Sequence, residues 1–395
     1  MMDSRDDHPT ILIVVSIDAI GVARLPGIFH RAGYVVDVLA RQRTAVLASR
    51  FVSNRRVVAG GPVDVAQALA EGLPEFTKTY DWILPADEPL LEAIAERPDR
   101  ELMAARMPLL PRPAIMDEVL SKIKFLTRAV AVGLPIPEFE ICHTHDEIVA
   151  AVAKLGYPVV LKRERSMAGS GVRVARDPAG LAQGIAQLGQ ADIMVQRCIQ
   201  GRIGGATILM EHGVPIRYFA FYKLFNWPTI LAPSGGGELV EDPEIDALVD
   251  KVGEMEQFHG LCSIDWMRED GTGKIYLIEF NPRSTPSTYA SGWAGSDFIP
   301  VLRGMHRERP RAEQIRPRGG AGRIFRMFPE SAFRAIDDRD LCLFLRSLGS
   351  APWGDPVLLL AVFRRLVGHY VPTGWKIWKK WSGVERRNLH SRPPL

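Results

Sequence analysis

Residues 261–281 constrain the fold more than any other stretch of the chain. Two apolar runs, 261–268 and 274–281, flank the turn EDGTG, and a short glycine-bearing polar turn between such runs predicts an antiparallel hairpin. Side chains alternate across a strand. Glu279, Asn281 and Arg283 therefore share one face, while Phe280 and Pro282 turn to the other. Antiparallel pairing lets Asp265, in SIDWM, lie opposite Glu279. Two carboxylates and an amide held this close form either a satisfied polar cluster or a set of hard oxygen donors. Left uncompensated, the carboxylates repel and one takes up a proton. A divalent cation shared with nucleotide phosphates removes that conflict. The bland alternative is an acid–arginine pair at the surface, worth under ~1 kcal/mol.

Other segments bear on the same question. In GYPVVLKRERSMAGSGVRV a strand delivers Lys162, and a loop of small residues (Ser166, Ala168, Gly169, Ser170, Gly171) leads into a further strand. Such a backbone can wrap phosphates, although a Gly/Ser turn between hairpin strands is equally common. The lysine precedes the glycines, so this is not a GxxxxGK[ST] loop. IMVQRCIQG (193–201) is an apolar strand running into a glycine turn, where exposed backbone groups suit a purine edge; a plain strand end is the simpler reading.

Upstream, ILIVVSI, a helical segment over 20–32 closed by Gly33, and YVVDVLA set a strand–helix–strand rhythm that continues to DWILPADEP. That rhythm predicts an open parallel sheet with ligands at its carboxyl ends. The first turn lacks GxGxxG, so no dinucleotide fingerprint is present. Asp87 and Glu88 stand at such a strand end, placed either to touch a substrate or to cap the next helix. MPLLPRP (107–113) reads as a linker, and a helix ending at Gly133, a helix over 145–155, a strand over 158–163 and a helix over 244–259 follow. Lys223, in YFAFYKLF, is either another phosphate contact or a solvated strand-edge lysine.

The motifs SKIKF, GLPIPEF, GYPVVLK, VQRCIQG, SIDWM and LIEFNPR, in this order, resemble the ATP-grasp superfamily, in particular its carboxylate–amine ligases, over roughly residues 10–300. The resemblance implies an α/β fold, with a Rossmann-like domain over 1–112, a two-lobed clamp over 113–195 and 196–312, and a basic, largely helical extension over 313–395. It implies ATP contacts from Lys122, Lys162, Ser166, Gly169 and Gly171, and a purine edge at Gln196, Arg197, Cys198 and Ile199. Metal ligands would be Asp265, Glu279 and Asn281, holding Mg²⁺, with Mn²⁺ as a substitute. Arg283 and Lys162 would face the transferred phosphoryl group. The activity implied is activation of a carboxylate as an acyl phosphate, followed by attack of an amine or another nucleophile, with ADP and phosphate as products. Phosphoryl transfer to a hydroxyl, or a nucleotide-binding scaffold without turnover, are the alternatives. Two departures stand out: QGRIGGATI lacks the carboxylate that several members use for the ribose, and Met167 sits at the tip of the phosphate loop.

At 395 residues the chain is long enough for two or three cores. Its formal charge of +3 is unevenly spread: residues 303–395 hold 19 Lys/Arg and 8 Asp/Glu, or +11, leaving −8 on the remainder. Four scattered cysteines without a CxxC pair fit a reducing compartment and no zinc site. His143 and His145, in HTH, read as surface histidines. ILIVV is too short for a signal peptide and no window spans a bilayer, so the expected location is the cytoplasm. In the basic tail, PVLLLAVFRRLVGHY predicts a helix, and Trp375, Trp378 and Trp381 recur every third residue in GWKIWKKW. The tail either docks on its own protein, which is the favoured reading, or makes a peripheral membrane contact. Expected partners are a small-molecule carboxylate and amine, with a homodimer left open; no nucleic acid is expected, since no recognised binding module is present.

Overall fold

The computed structural model describes residues 8–107, 120–164, 171–189, 192–228, 234–305 and 312–370. The first sheet is parallel, in the order β3 (Arg55–Val58), β2 (Val35–Arg41), β1 (Thr10–Val15), β4 (Trp82–Pro85). Ile11, Leu12, Ile13 and Val14 of β1 are all fully buried, as expected of a central parallel strand covered on both faces. Ile11 and Ile13 join a core shared with helix α1 (Leu25–Arg31), while Leu12 and Val14 pack towards α2 (Pro62–Thr79) and α3 (Glu88–Ala95). The helical segment expected over 20–32 is divided: a 3-10 turn, Val22–Arg24, precedes α1, and Pro26 stands in the first turn of the latter.

The second sheet has the order β5 (Phe139–Cys142), β8 (Ile193–Arg197), β6 (Val159–Arg163), β7 (Val172–Ala175), and all its pairings are antiparallel. Helix α4 (Lys122–Ala131) precedes it, and α5 (His145–Leu155) and α6 (Pro178–Leu188) are inserted between its strands. Thr144 and Glu147 form a reciprocal capping box at the start of α5, which sets its first residue where the sequence places it.

The third sheet is antiparallel: β13 (Ile275–Asn281), β12 (Gly260–Glu269), β9 (Gly201–Glu211), β10 (Val214–Lys223), β11 (Gly236–Val240), β14 (Ile324–Arg326). His212 and Gly213, both at positive φ, make the two-residue turn from β9 to β10, the geometry that matches strand twist. Helix α7 (Pro243–Glu256) packs against one face of this sheet with Ile208, Tyr218, Ile264 and Trp266; the other face, carrying Phe219, Phe221 and Leu261, shares a core with the first sheet. Strand β14 comes from far along the chain and completes the sheet at the edge opposite β13. Three helices follow, α8 (Glu330–Asp338), α9 (Leu341–Leu348) and α10 (Pro356–Tyr370), and α10 matches the helix expected from PVLLLAVFRRLVGHY. Trp375, Trp378 and Trp381 lie outside the described residues, and among those described no helix is long and apolar enough to cross a membrane.

Candidate active site

Strands β12 and β13 pair with Asp265 directly opposite Glu279 and Ser263 opposite Asn281. The next pair is Trp266 with Leu277, so Ile278 is left over as a bulge. This one-residue slip explains why Leu277 and Phe280, three apart, share one core; strict alternation would have put them on opposite faces. Beyond the bulge, Glu279 turns away from that core. On β10, Lys223 continues the parity of Phe219 and Phe221, and its Nζ lies 2.7 Å from Asp265 Oδ2. The carboxylate pair therefore faces the first sheet rather than α7.

The second sheet brings up the opposing charge. Lys162, the penultimate residue of β6, is 8% exposed. Burial pushes its ammonium down to about 8, opposed by the negative charge of Glu279 and assisted by the positive charge of Lys122. Ser121 caps α4 by accepting from Lys124 N, and its hydroxyl donates to Glu164 just beyond Lys162. This fixes Lys122 at the first helical position, 3.6 Å from Glu279 Oε1. A lysine there, with no acid in the first turn, opposes the helix dipole, a cost that an anion bound at the same place would offset. Burial also raises the Glu279 carboxyl; Lys122 lowers it and Asp265 raises it.

Arg283 donates from Nη2 to Glu88 at 3.0 Å and to Asn281 Oδ1 at 3.1 Å. Glu88 belongs to α3 of the first unit, so this pair ties the Rossmann-like sheet to the end of β13. Asp87 caps α3 through Leu90 N and also accepts from the amide and hydroxyl of Ser16 at the end of β1. Burial raises its carboxyl. Asp87 is thus a structural cap, and Glu88 is the outward-facing acid of the two. A cleft of about 20 Å³ joins Glu88, Lys122, Phe125, Glu279 and Pro282.

The structure places the remaining candidates less uniformly. Gln196 is buried and donates to Pro137 O at 3.3 Å. Arg197 reaches Glu269 (2.6 Å) and the Tyr276 hydroxyl (2.8 Å), so its guanidinium is already engaged. Ile199 is buried, and burial raises the Cys198 thiol. Gly171 O accepts from Arg163 N at 2.9 Å, closing the base of the small-residue loop; Ser166 and Gly169 lie outside the described residues. His143 pairs with Asp192 at the surface. All four cysteines are free thiols. Lys223 and Glu88, for each of which the sequence leaves two readings open, both join the cluster. The signal for each is its place at or just beyond a strand end, Lys223 closing β10 and Glu88 following β4 by three residues.

Residues 127–209 match the ATP-grasp domain. Over 199 residues the chain is 28% identical to a D-alanine–D-alanine ligase of Xylella fastidiosa, an alignment covering 45% of this chain and 62% of that ligase. Among solved structures, N5-carboxyaminoimidazole synthetase from Staphylococcus aureus complexed with ADP superimposes with a TM-score of 0.62 at 15% identity, covering 77% of this chain and 79% of the other. L-amino acid ligase from Bacillus licheniformis superimposes with a TM-score of 0.57 at 16% identity, covering 77% of each chain. Residues 127–209 thus match an ATP-grasp domain, and the chain is similar in sequence to D-alanine–D-alanine ligases and in fold to other carboxylate–amine ligases.

Proposed function

We propose that the protein is an ATP-dependent ligase that activates a carboxylate for attack by an amine. The observation that carries this reading is the meeting of Asp265 and Glu279, paired across two strands, with Lys122 from the start of α4 and Lys162 from the second sheet. Two acids facing the buried Lys162 and the partly buried Lys122 balance one another, and the same set accommodates a polyphosphate with its counter-cations. ATP phosphates fit the lysine side, at the start of α4 and the end of β6.

Asp265, Glu279 and the Asn281 amide are hard oxygen donors that suit Mg²⁺ or Mn²⁺. Burial and the neighbouring Asp265 raise the Glu279 carboxyl, and a cation held there would relieve that charge conflict. When bound, the metal would neutralise charge developing on the phosphates. The protein's own groups do the rest. Lys122 and Lys162 hold the phosphates in line, and Lys223 screens the Asp265 carboxylate. Arg283, steadied by Glu88, faces the oxygens of the phosphoryl group in flight.

A substrate carboxylate oxygen attacks the γ-phosphorus as the bond to the β-phosphate oxygen breaks, giving an acyl phosphate and ADP. The amine lone pair then attacks the acyl carbon; phosphate leaves, and the amine nitrogen gives up its proton. No protein side chain becomes covalently attached, consistent with a cluster made of charges rather than nucleophiles. The domain division drawn from the sequence assigns the lysines to the central lobe and the acids to the following one. The test is incubation of the purified protein with Mg-ATP and pooled carboxylates and amines. ADP, phosphate and a condensed product are expected, and Glu279→Gln should abolish all three. ADP with a phosphorylated metabolite and no free phosphate would overturn the reading.

A further inference from the structure

A second cavity, about 510 Å³, lies away from the carboxylate pair, between α1, the turn that follows β13, and the segment joining α9 to α10. Its walls include Phe51, Tyr289, Trp293, Phe325 and Trp353. Trp293 and Trp353 are 45% and 59% exposed, a large outlay of indole surface to water unless something covers it. The volume is that of a small-molecule site.

Charge in the wall is as unusual as the aromatic lining. The Arg24 guanidinium lies 3.8 Å over the Tyr289 ring and donates to Phe328 O (3.0 Å) and Ser350 O (2.7 Å). Both acceptors are neutral carbonyls, and among the described residues no carboxylate forms an ion pair with Arg24. Burial lowers its pKa, and the Tyr289 hydroxyl and the buried Glu330 carboxyl, which does not bond to it, only partly oppose that shift. The cavity's own acid, Asp355, is occupied by Ser49 Oγ (2.5 Å), Arg50 N (3.1 Å) and Leu358 N (3.2 Å). Arg31 and Arg346 add positive charge along the walls.

We infer that this cavity binds an organic carboxylate with an aromatic or bulky apolar body, the carboxylate drawn to Arg24 and the body set against Trp293 and Phe325. Phe325 is opposite Gly237, which is opposite Lys223. At ~4.8 Å per strand, the Phe325 backbone lies about 10 Å from that of Lys223, the lysine that holds Asp265. The site is therefore within reach of the proposed chemistry, yet its existence does not depend on that proposal.

The experiment is isothermal titration of the full chain, without nucleotide, using 3-phenylpropionate and its uncharged amide, 3-phenylpropanamide. The acid should bind saturably and about tenfold or more tightly than the amide, the discrimination expected of a charged hydrogen-bonding partner. Arg24→Gln should erase that preference. Because Arg24 also ties α1 to Phe328 and Ser350, it is paired with Trp293→Ala, which spares those bonds and should weaken both probes alike. Absence of saturable binding of the acid, or equal affinity for acid and amide in the unaltered protein, overturns the inference. Neither result touches the ligase reading, which is measured by ADP formation.

Discussion

Lys162→Met should make the metal-free, nucleotide-free protein more stable while removing its capacity to bind ATP. Burial holds the Lys162 ammonium at about 8 against an ordinary 10.5. Keeping it protonated at neutral pH therefore costs about 3 kcal/mol, at roughly 1.4 kcal/mol for each tenfold change in the protonation equilibrium. That cost is net of the attraction to Glu279. Methionine has a similar length and no charge, so it fills the same space without the penalty. For a unit of 150–250 residues, 1 kcal/mol moves the midpoint by about 2–4 °C, which predicts a gain of several degrees in thermal unfolding with EDTA present.

The sign of the pH dependence follows from proton binding. Between about pH 8 and 10.5 the unfolded chain holds a proton on Lys162 that the folded protein has released, so the stability of the unaltered protein rises across this window. The advantage of Lys162→Met should therefore be full at neutral pH and fade towards the upper limit. Comparing the two proteins at each pH cancels the other titrating groups. A destabilised variant, or a gain that does not change with pH, would refute the claim that Lys162 is charged at a cost. Nucleotide affinity measured on the same samples should fall steeply.

Two further outcomes follow from the same geometry. Glu88→Gln removes the acid that orients Arg283 across 3.0 Å; the midpoint should shift little, since partly exposed pairs contribute about 1 kcal/mol or less, while turnover falls and nucleotide affinity is kept. Gly204→Ala would set a Cβ 2.2 Å from the Trp266 ring. That ring is fully buried, so the variant should lose about 1–3 kcal/mol in urea unfolding.

Much of this architecture is legible in the sequence because its signals are local. EDGTG fixes the hairpin, and the expected strands 261–268 and 274–281 fall within a residue of those formed, Gly260–Glu269 and Ile275–Asn281. The helix over 145–155 is bounded as read because Thr144 and Glu147 cap it within one turn. The helix expected over 244–259 stops at Glu256, because Gln257 takes a left-handed conformation (φ 49°) that no glycine announces.

What escapes a sequence reading is long-range. The Ile278 bulge breaks period two without any marker residue, and it decides which side chains face the site. Lys223 meets Asp265 across 42 residues of sequence, and Glu88 meets Arg283 across 195. A three-residue edge strand, Ile324–Arg326, is too short for its own pattern to reveal, yet it completes the third sheet. Arg197 belongs to a motif read as a purine edge, but its guanidinium is drawn to Glu269 and Tyr276, a choice made by neighbours that only the folded chain supplies.

The central claim is acyl-phosphate formation at the Asp265–Glu279 pair, and oxygen tracing tests it most directly. Carboxylates labelled with ¹⁸O in both oxygens are supplied with Mg-ATP and an amine pool, and the released phosphate is analysed by mass. One labelled oxygen per phosphate, lost together with turnover in Glu279→Gln, is the predicted result. Unlabelled phosphate formed alongside ADP, or label retained entirely in the organic product, would contradict it.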